Sequence, residues 1–208
     1  MKKMLVALTM VIGMVSVSMA QTPTAKSVLD NVSAKLKTFK GITANFSYTT
    51  KDRKNVNRGS VKGEILIKGN KYYIKQGQTE IYSDGAKIWN YNGENEVTVV
   101  AADDDSKTLT PQKLLSDFYD KDFTYKLVSS TGNYYEIQMT PTDQRKNFKQ
   151  VNVFVDKKKN LVTKAKVLDK SDNTIEFSLS NVNTNATIPD TRFVFDTAKH
   201  PDVEVIAE

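Results

Sequence analysis

The spacing of apolar residues divides the chain into one helical segment and a long run of strands. Four apolar positions recur at helical spacing and predict an amphipathic helix from about Ala25 to Lys37, with Gly41 as its stop. These positions are Val28, Leu29, Val32 and Leu36. From Ile42 onward, apolar and polar residues alternate with a period of two, which is typical of strands with one face buried.

Tight turn signals interrupt this alternation and define about ten or eleven short strands. The clearest turns are Gly69-Asn70, Ser83-Asp84-Gly85 and Asn92-Gly93. Strands are predicted at residues 42–48, 61–68, 72–74, 79–82, 88–91, 97–101, 123–127, 134–139, 148–155, 162–168 and 175–179, with a last extended piece around Phe193 and Phe195. This pattern predicts a meandering antiparallel sheet. A sheet this wide has to curl or close into a full or partial barrel to protect its edges.

A second, short helix is predicted inside the run of strands. The alternation breaks at Asp103-Asp104-Asp105, and Thr110-Pro111 then has the form of a helix entry. Leu114, Leu115 and Phe118 follow on one face of this predicted helix.

The first twenty residues have the form of a cleavable signal peptide. Lys2 and Lys3 precede an apolar run from Met4 to Val17, and Ser18-Met19-Ala20 supplies a small-residue cleavage site. The run is shorter than the roughly twenty residues of a membrane-spanning helix, although an uncleaved anchor is the alternative. We therefore expect cleavage after Ala20 and a single mature domain, residues 21–208, free in an extracytoplasmic space.

Composition removes several classes of function. The chain has no cysteine, which excludes disulfides, thiolate catalysis and a lipid-modified cysteine. Its net charge is +6, and lysines are interspersed with acidic residues, so we expect no nucleic-acid groove. His200 is the only histidine, and Asp103-Asp104-Asp105 lacks the spacing of a calcium loop. We expect no cofactor, no metal and no enzymatic activity, although a hydrolase using unassigned carboxylates stays open.

Paired apolar residues on single strand faces are the informative feature. Such pairs recur along the chain: Trp89 with Tyr91, Ile65 with Ile67, and Tyr135 with Ile137 and Met139. A wide sheet with only two short helices either forms a filled core or leaves a cavity for an apolar ligand.

Several segments together resemble the LolA family of periplasmic carriers of outer-membrane lipoproteins. The resemblance covers most of residues 24–207, and its strength lies in the order and spacing of the segments. They are the hairpin 81–92, with a Ser-Asp-Gly turn before Trp-x-Tyr, the strand 63–68, the Thr110-Pro111 helix, and the C-terminal stretch 188–206.

The resemblance implies a mainly β fold: an unclosed, half antiparallel β-barrel whose concave face is covered by an N-terminal helix and an internal lid helix. It also implies a monomeric carrier that accepts acylated lipoproteins from an inner-membrane ABC-type release complex and delivers them to an outer-membrane receptor. A periplasmic sensor, or a carrier of another lipid or amphiphile, is the alternative. The family commonly has Arg-Pro where Gly69-Asn70 follows Lys68 here, which puts the lid contact of that Arg in doubt.

On this hypothesis nine side chains bind lipid. Six are expected on the concave face, and three on the underside of the lid helix. The concave set is Ile65, Ile67, Tyr73, Trp89, Tyr91 and Ile137, and the lid set is Leu114, Leu115 and Phe118.

Overall fold

The computed structural model describes residues 23–102 and 123–207, and in that part of the chain the fold is mainly β. One α-helix, α1 (Ala25–Leu36), precedes twelve strands. The strands are β1 (Ile42–Lys51), β2 (Asn57–Lys68), β3 (Lys71–Gln76), β4 (Thr79–Ser83), β5 (Lys87–Tyr91), β6 (Glu96–Ala101), β7 (Phe123–Ser129), β8 (Tyr134–Pro141), β9 (Phe148–Asp156), β10 (Leu161–Asp169), β11 (Thr174–Asn183) and β12 (Glu204–Ala207). Two 3₁₀ helices, Asp190–Phe193 and Thr197–Lys199, lie between β11 and β12.

All twelve strands belong to one unclosed sheet. Its order is β12-β6-β5-β4-β3-β2-β1-β11-β10-β9-β8-β7, so β12 and β7 are the two edges. Neighbouring strands are antiparallel except β12, which pairs in parallel with β6. The predicted unclosed antiparallel barrel is therefore confirmed, with a parallel strand added at one edge.

The helix α1 begins where its sequence supplies a cap. The side chain of Thr24 accepts a hydrogen bond from the backbone N–H of Ser27, and the Ser27 hydroxyl accepts one from the backbone N–H of Thr24. This reciprocal pair satisfies two N–H groups that a helix start otherwise leaves open. The apolar side of the helix buries Val28, Leu29 and Val32, as the helical spacing predicts.

The sheet has one continuous apolar face, which we call the helix face because α1 packs on it. Its buried residues come from strands along nearly the whole sheet and form one cluster with α1. Cross-strand pairs such as Ala44 with Ile65, Ile137 with Val153, and Ala165 with Phe177 join the rows from strand to strand. Burial of this face is the main source of stability in the fold.

The opposite face, which we call the tail face, is polar over one half of the sheet and aromatic over the other. On β10 and β11 it carries Lys166 and Glu176, which form an ion pair. On β3 and β4 it carries Tyr73 and Tyr82, which pack beneath the C-terminal segment after β11. We call that segment, residues 188–207, the tail.

One sequence prediction at the C-terminus is wrong. Phe193 ends a 3₁₀ helix and does not lie in an extended piece, and the rings of Phe193 and Phe195 are buried. The strand β12 is not predictable from the pattern, since its four residues have no period-two burial and are all exposed. The expected signal peptide and the lid helix with Asp103-Asp104-Asp105 lie outside the described residues.

Candidate binding face

Three of the predicted lining residues lie together on the helix face. Ile65, Ile67 and Ile137 are at most 4% exposed and belong to the apolar cluster that includes α1. Ile65 lies beside Ala44 and Ile67 beside Ile42, so β1 links them to the rest of the sheet. Ile65 and Ile67 lie on β2, and Ile137 lies on the same face of β8, with β1, β11, β10 and β9 between them.

Tyr73, Trp89 and Tyr91 lie on the opposite, tail face, so the expectation that they line one surface with Ile65 is wrong. The two-residue turn after β2 pairs Lys68 with Lys71, and this register places Ile65 opposite Ile74. Directly paired residues of neighbouring strands share a face. Tyr73 therefore projects away from Ile65, in the same direction as its partner Tyr82, and Trp89 follows as the next partner of Tyr82.

The predicted lid residues Leu114, Leu115 and Phe118 lie outside the described part of the chain. No helix among the described residues is long and apolar enough to cross a membrane.

The helix face is tightly packed where Phe46 on β1 pairs with Gly63 on β2. Phe46 is 2% exposed, and its ring lies over the backbone of Gly63, where a Cβ atom would be only 2.5 Å from Phe46 Cζ. Glycine is thus required at this point of β2 to let the ring approach. The ring also stacks near Phe177, with ring centroids 6.3 Å apart.

A polar pair interrupts one of the apolar rows of the helix face. Tyr72 on β3 lies directly opposite Ser83 on β4, between Ile67 on one side and Ile88 on the other. Burial raises the pKa of Tyr72, and the hydrogen bond to Ser83 offsets only part of that rise. The phenol is therefore neutral at physiological pH.

The tail face is held by aromatic packing that sequence analysis missed. Phe193 is fully buried in a cluster with Tyr73 and Ile188. The ring of Phe195 packs against Tyr82 at 5.8 Å between centroids, and against Tyr91 at 5.2 Å. The sequence signal for this contact is the pair of alternate aromatic residues at 193 and 195, but that spacing is also typical of a strand.

Charged groups fasten the tail next to these rings. Asp190 accepts a hydrogen bond from Lys68 at 2.8 Å and lies 3.2 Å from the Lys71 ammonium, and these two cations lower its pKa. The guanidinium of Arg192 lies 5.0 Å from the ring centroid of Tyr73. Gly69 lies at the turn between these lysines with φ of +60°.

A second charged group on the tail face is Glu80. Burial alone would raise its pKa, but hydrogen bonds from Lys75 and Tyr82 outweigh burial, and the pKa lies below its usual value. Burial and the same carboxylate together raise the pKa of Tyr82 strongly. The Tyr82 hydroxyl donates to the Glu80 carboxylate, whereas the Tyr91 hydroxyl donates to the backbone carbonyl of Glu94.

His200 has a packing role in the structure. Its ring stacks on Phe195 at 4.8 Å between centroids and lies 5.1 Å from Tyr91. Within residues 23–102 and 123–207, no group of three or more histidine, aspartate or glutamate side chains is placed to hold a metal ion.

A cleft outside the apolar face is open and charged. It lies between the turn after β1 and the turn after β10, and is lined by Asp52, Arg53, Lys54, Arg58, Ser171 and Asn173. Arg58 closes one side with a 2.6 Å ion pair to Asp52. This lining does not suit an acyl chain.

A wide, unclosed sheet with an apolar face beneath an N-terminal helix defines the fold of a binding protein of the half-barrel type. The sequence pattern of one family, outer membrane lipoprotein carrier protein LolA, matches residues 37–196. The chain belongs to this family, whose fold is a binding and carrier fold. No curated protein sequence matches it significantly.

Solved structures share this architecture at low sequence identity. An uncharacterized conserved protein from Thermus thermophilus superposes with a TM-score of 0.59 at 8% identity, over 88% of this chain and 99% of the other. A LolA superfamily protein from Nitrosomonas europaea has a TM-score of 0.48 at 14% identity, over 85% and 100%. The MucA/MucB complex from Pseudomonas aeruginosa gives 0.48 at 13%, over 83% and 61%. The first of these supports the fold assignment.

Proposed function

We propose that this protein is a periplasmic carrier that binds lipoprotein acyl chains on the helix face and shuttles them from the inner to the outer membrane. The observation that supports it most is the continuous apolar face of an unclosed sheet, in a chain that belongs to the LolA family. The family consists of lipoprotein carriers, and the apolar face is suited to hydrocarbon. Both observations favour lipoprotein acyl chains as the ligand.

The physical need for a carrier follows from the cost of exposing acyl chains. Each methylene group hidden from water contributes about 0.8 kcal/mol, so a long chain does not cross an aqueous space unprotected. The helix face offers branched aliphatic side chains, which include Ile65, Ile74 and Ile137, without a charged group among its buried residues. Such a surface takes up hydrocarbon without recognising a particular sequence of the cargo protein.

Ligand entry has to displace packed groups. Ile65 and Ile137 are fully buried, so an acyl chain reaches them only when α1 or another covering segment moves. Bound chain and covering segment then compete for one surface, and that competition allows both uptake and release. A partner that favours the covered state would thereby drive release of the ligand.

The partners follow from the proposed role. An inner-membrane ABC-type release complex would load the carrier, and an outer-membrane receptor would accept its cargo. Neither partner requires an enzymatic group on this chain.

The binding experiment uses delipidated mature protein and a synthetic triacyl lipopeptide. We expect saturable binding by calorimetry and a rise in unfolding temperature, because a ligand that binds only the folded state stabilises it. The control is the same peptide without acyl chains, which should not bind. Equal behaviour of the two peptides would refute acyl-chain carriage.

A second experiment separates carriage from sensing. Depletion of the carrier in its native cell should leave lipoproteins stranded at the inner membrane, as seen by membrane fractionation. Normal lipoprotein sorting with altered signalling would instead identify a sensor. Mass spectrometry of lipid co-purified with the native protein identifies the cargo.

A further inference from the structure

On the helix face, the hydroxyl side chains of Tyr72 and Ser83 lie next to each other in a row of directly paired residues from β2 to β5. The residues on either side of them in this row are apolar. Across the helix face this row comprises Ile67, Tyr72, Ser83 and Ile88. Tyr72 is partly buried against the apolar cluster, and Ser83 is 1% exposed. A hydrocarbon chain lying along this row would therefore contact apolar side chains except at Tyr72 and Ser83.

Within this pair the two hydroxyls differ in their partners. Ser83 Oγ accepts a hydrogen bond from the backbone N–H of Gly85 at 3.3 Å, and Ser83 lies directly opposite Tyr72 in the pairing of β3 with β4. Among the described residues, no group accepts a hydrogen bond from the Tyr72 hydroxyl. Within that part of the chain, the proton of this hydroxyl is available for donation to a ligand.

The tyrosines on the other face of the same strands provide a contrast. The hydroxyl of Tyr82 donates to the carboxylate of Glu80, and Tyr73 also shares that carboxylate. Their donor capacity is used inside the protein, beneath the tail. Tyr72 thus differs from its chain neighbour Tyr73 in both its face and its partner.

An acylated ligand carries a group that can accept a hydrogen bond from the Tyr72 hydroxyl. The acyl chains of a lipoprotein are joined through ester or amide carbonyls, which are strong hydrogen-bond acceptors at the polar end of each chain. A carbonyl buried without a donor is costly, so a carrier gains by offering one.

We propose that the Tyr72 hydroxyl, which lies in an apolar row of the helix face, donates a hydrogen bond to the carbonyl at the head of a bound acyl chain. This inference rests on the proposed function, and it assigns the protein a preference for carbonyl-linked chains over bare alkyl chains.

The test compares two lipopeptides that differ only in the linkage, one with ester-linked acyl chains and one with ether-linked alkyl chains of equal length. Calorimetry measures their affinity for the mature wild-type protein, for Tyr72→Phe and for the control Tyr73→Phe. We expect Tyr72→Phe to bind the ester lipopeptide about fivefold more weakly and to bind the ether lipopeptide as the wild type does. Tyr73→Phe should bind both ligands like the wild type.

Two results would overturn the inference. One is an unchanged affinity of Tyr72→Phe for the ester lipopeptide, and the other is an equal loss for both ligands, which would indicate a packing effect. Failure of the wild type to bind either lipopeptide would refute the proposed function itself, and so the two failures are distinguishable. Thermal unfolding of each variant verifies that Phe at position 72 leaves the fold intact.

Discussion

Tyr72 and Tyr73 are neighbours in β3, yet their side chains serve opposite faces of the sheet. Tyr72 lies opposite Ser83 on the helix face, and Tyr73 lies opposite Tyr82 under the tail, with the rings of Tyr73 and Tyr82 5.0 Å apart. The two faces are therefore distinct surfaces. One is the apolar face on which we propose that acyl chains bind, and the other is covered by the tail.

Phe193 anchors the tail, and we expect Phe193→Ala to lower the free energy of unfolding by about 3 kcal/mol. Its ring is fully buried with Tyr73 and Ile188, and truncation leaves a cavity there. Urea unfolding measures the change. Val194→Ala is the matched control, because Val194 is 40% exposed and its truncation should cost less than about 0.5 kcal/mol. Equal effects of the two substitutions would show that the tail is not held through Phe193.

Acid should loosen the tail through Asp190. Lys68 and Lys71 lower the pKa of this carboxyl below its ordinary 3.8, so their pairing stabilises the folded tail above that pH. The contribution is lost as the pH falls through the lowered pKa of the folded state. NMR signals of Arg192 and Phe193 should then lose their dispersion.

The control for this pH effect is Asp190→Asn. This variant should show a looser tail already at neutral pH and a smaller change between neutral and acidic solution. A wild-type tail that keeps its NMR dispersion well below pH 3.8 would contradict this account of the anchor.

Gly63→Ala should lower the free energy of unfolding by about 1–3 kcal/mol, as overpacking does. A methyl group there would collide with the carbonyl oxygen of Lys75 and with the Phe46 ring. Chemical denaturation measures the loss. Lys62→Ala, at the neighbouring position of β2, should be nearly neutral. If Gly63→Ala were equally neutral, the close approach of Phe46 would be wrong.

Tryptophan fluorescence should respond to ligand only when the indole is moved to the other face. Trp89 is on the tail face, whereas Ile88 lies in the row of Tyr72 and Ser83. We expect an acylated lipopeptide to leave wild-type emission nearly unchanged and to shift that of Ile88→Trp combined with Trp89→Phe. The reverse pattern would place the ligand under the tail.

Sequence periodicity and turn signals together are sufficient to predict α1 and the eleven strands from β1 to β11. Face-sharing within one strand is also predictable, as for Ile65 with Ile67. Which residues of two neighbouring strands lie on the same face is not predictable in this way, because it depends on the register that each turn sets. That is why the pattern alone assigns Tyr73 and Trp89 to the wrong face.

The tail is the other failure of sequence prediction. Phe193 and Phe195 have a strand-like spacing, but their burial comes from packing on Tyr73 and Tyr82, which are more than a hundred residues earlier in the chain. Local pattern does not encode such a contact. The proximity of Tyr72 to Ser83 is not predictable from the local pattern for a related reason, because it depends on the pairing of β3 with β4.

The central claim is that acyl chains bind on the helix face, and photo-crosslinking tests it most directly. A lipopeptide with a diazirine at the end of one acyl chain is bound to the mature protein and irradiated, and the labelled residues are located by mass spectrometry. The account predicts labels on helix-face residues such as Ile65, Ile74 and Ile137. Labels concentrated on the tail-face residues Tyr73 and Tyr82, or spread evenly over both faces, would contradict it.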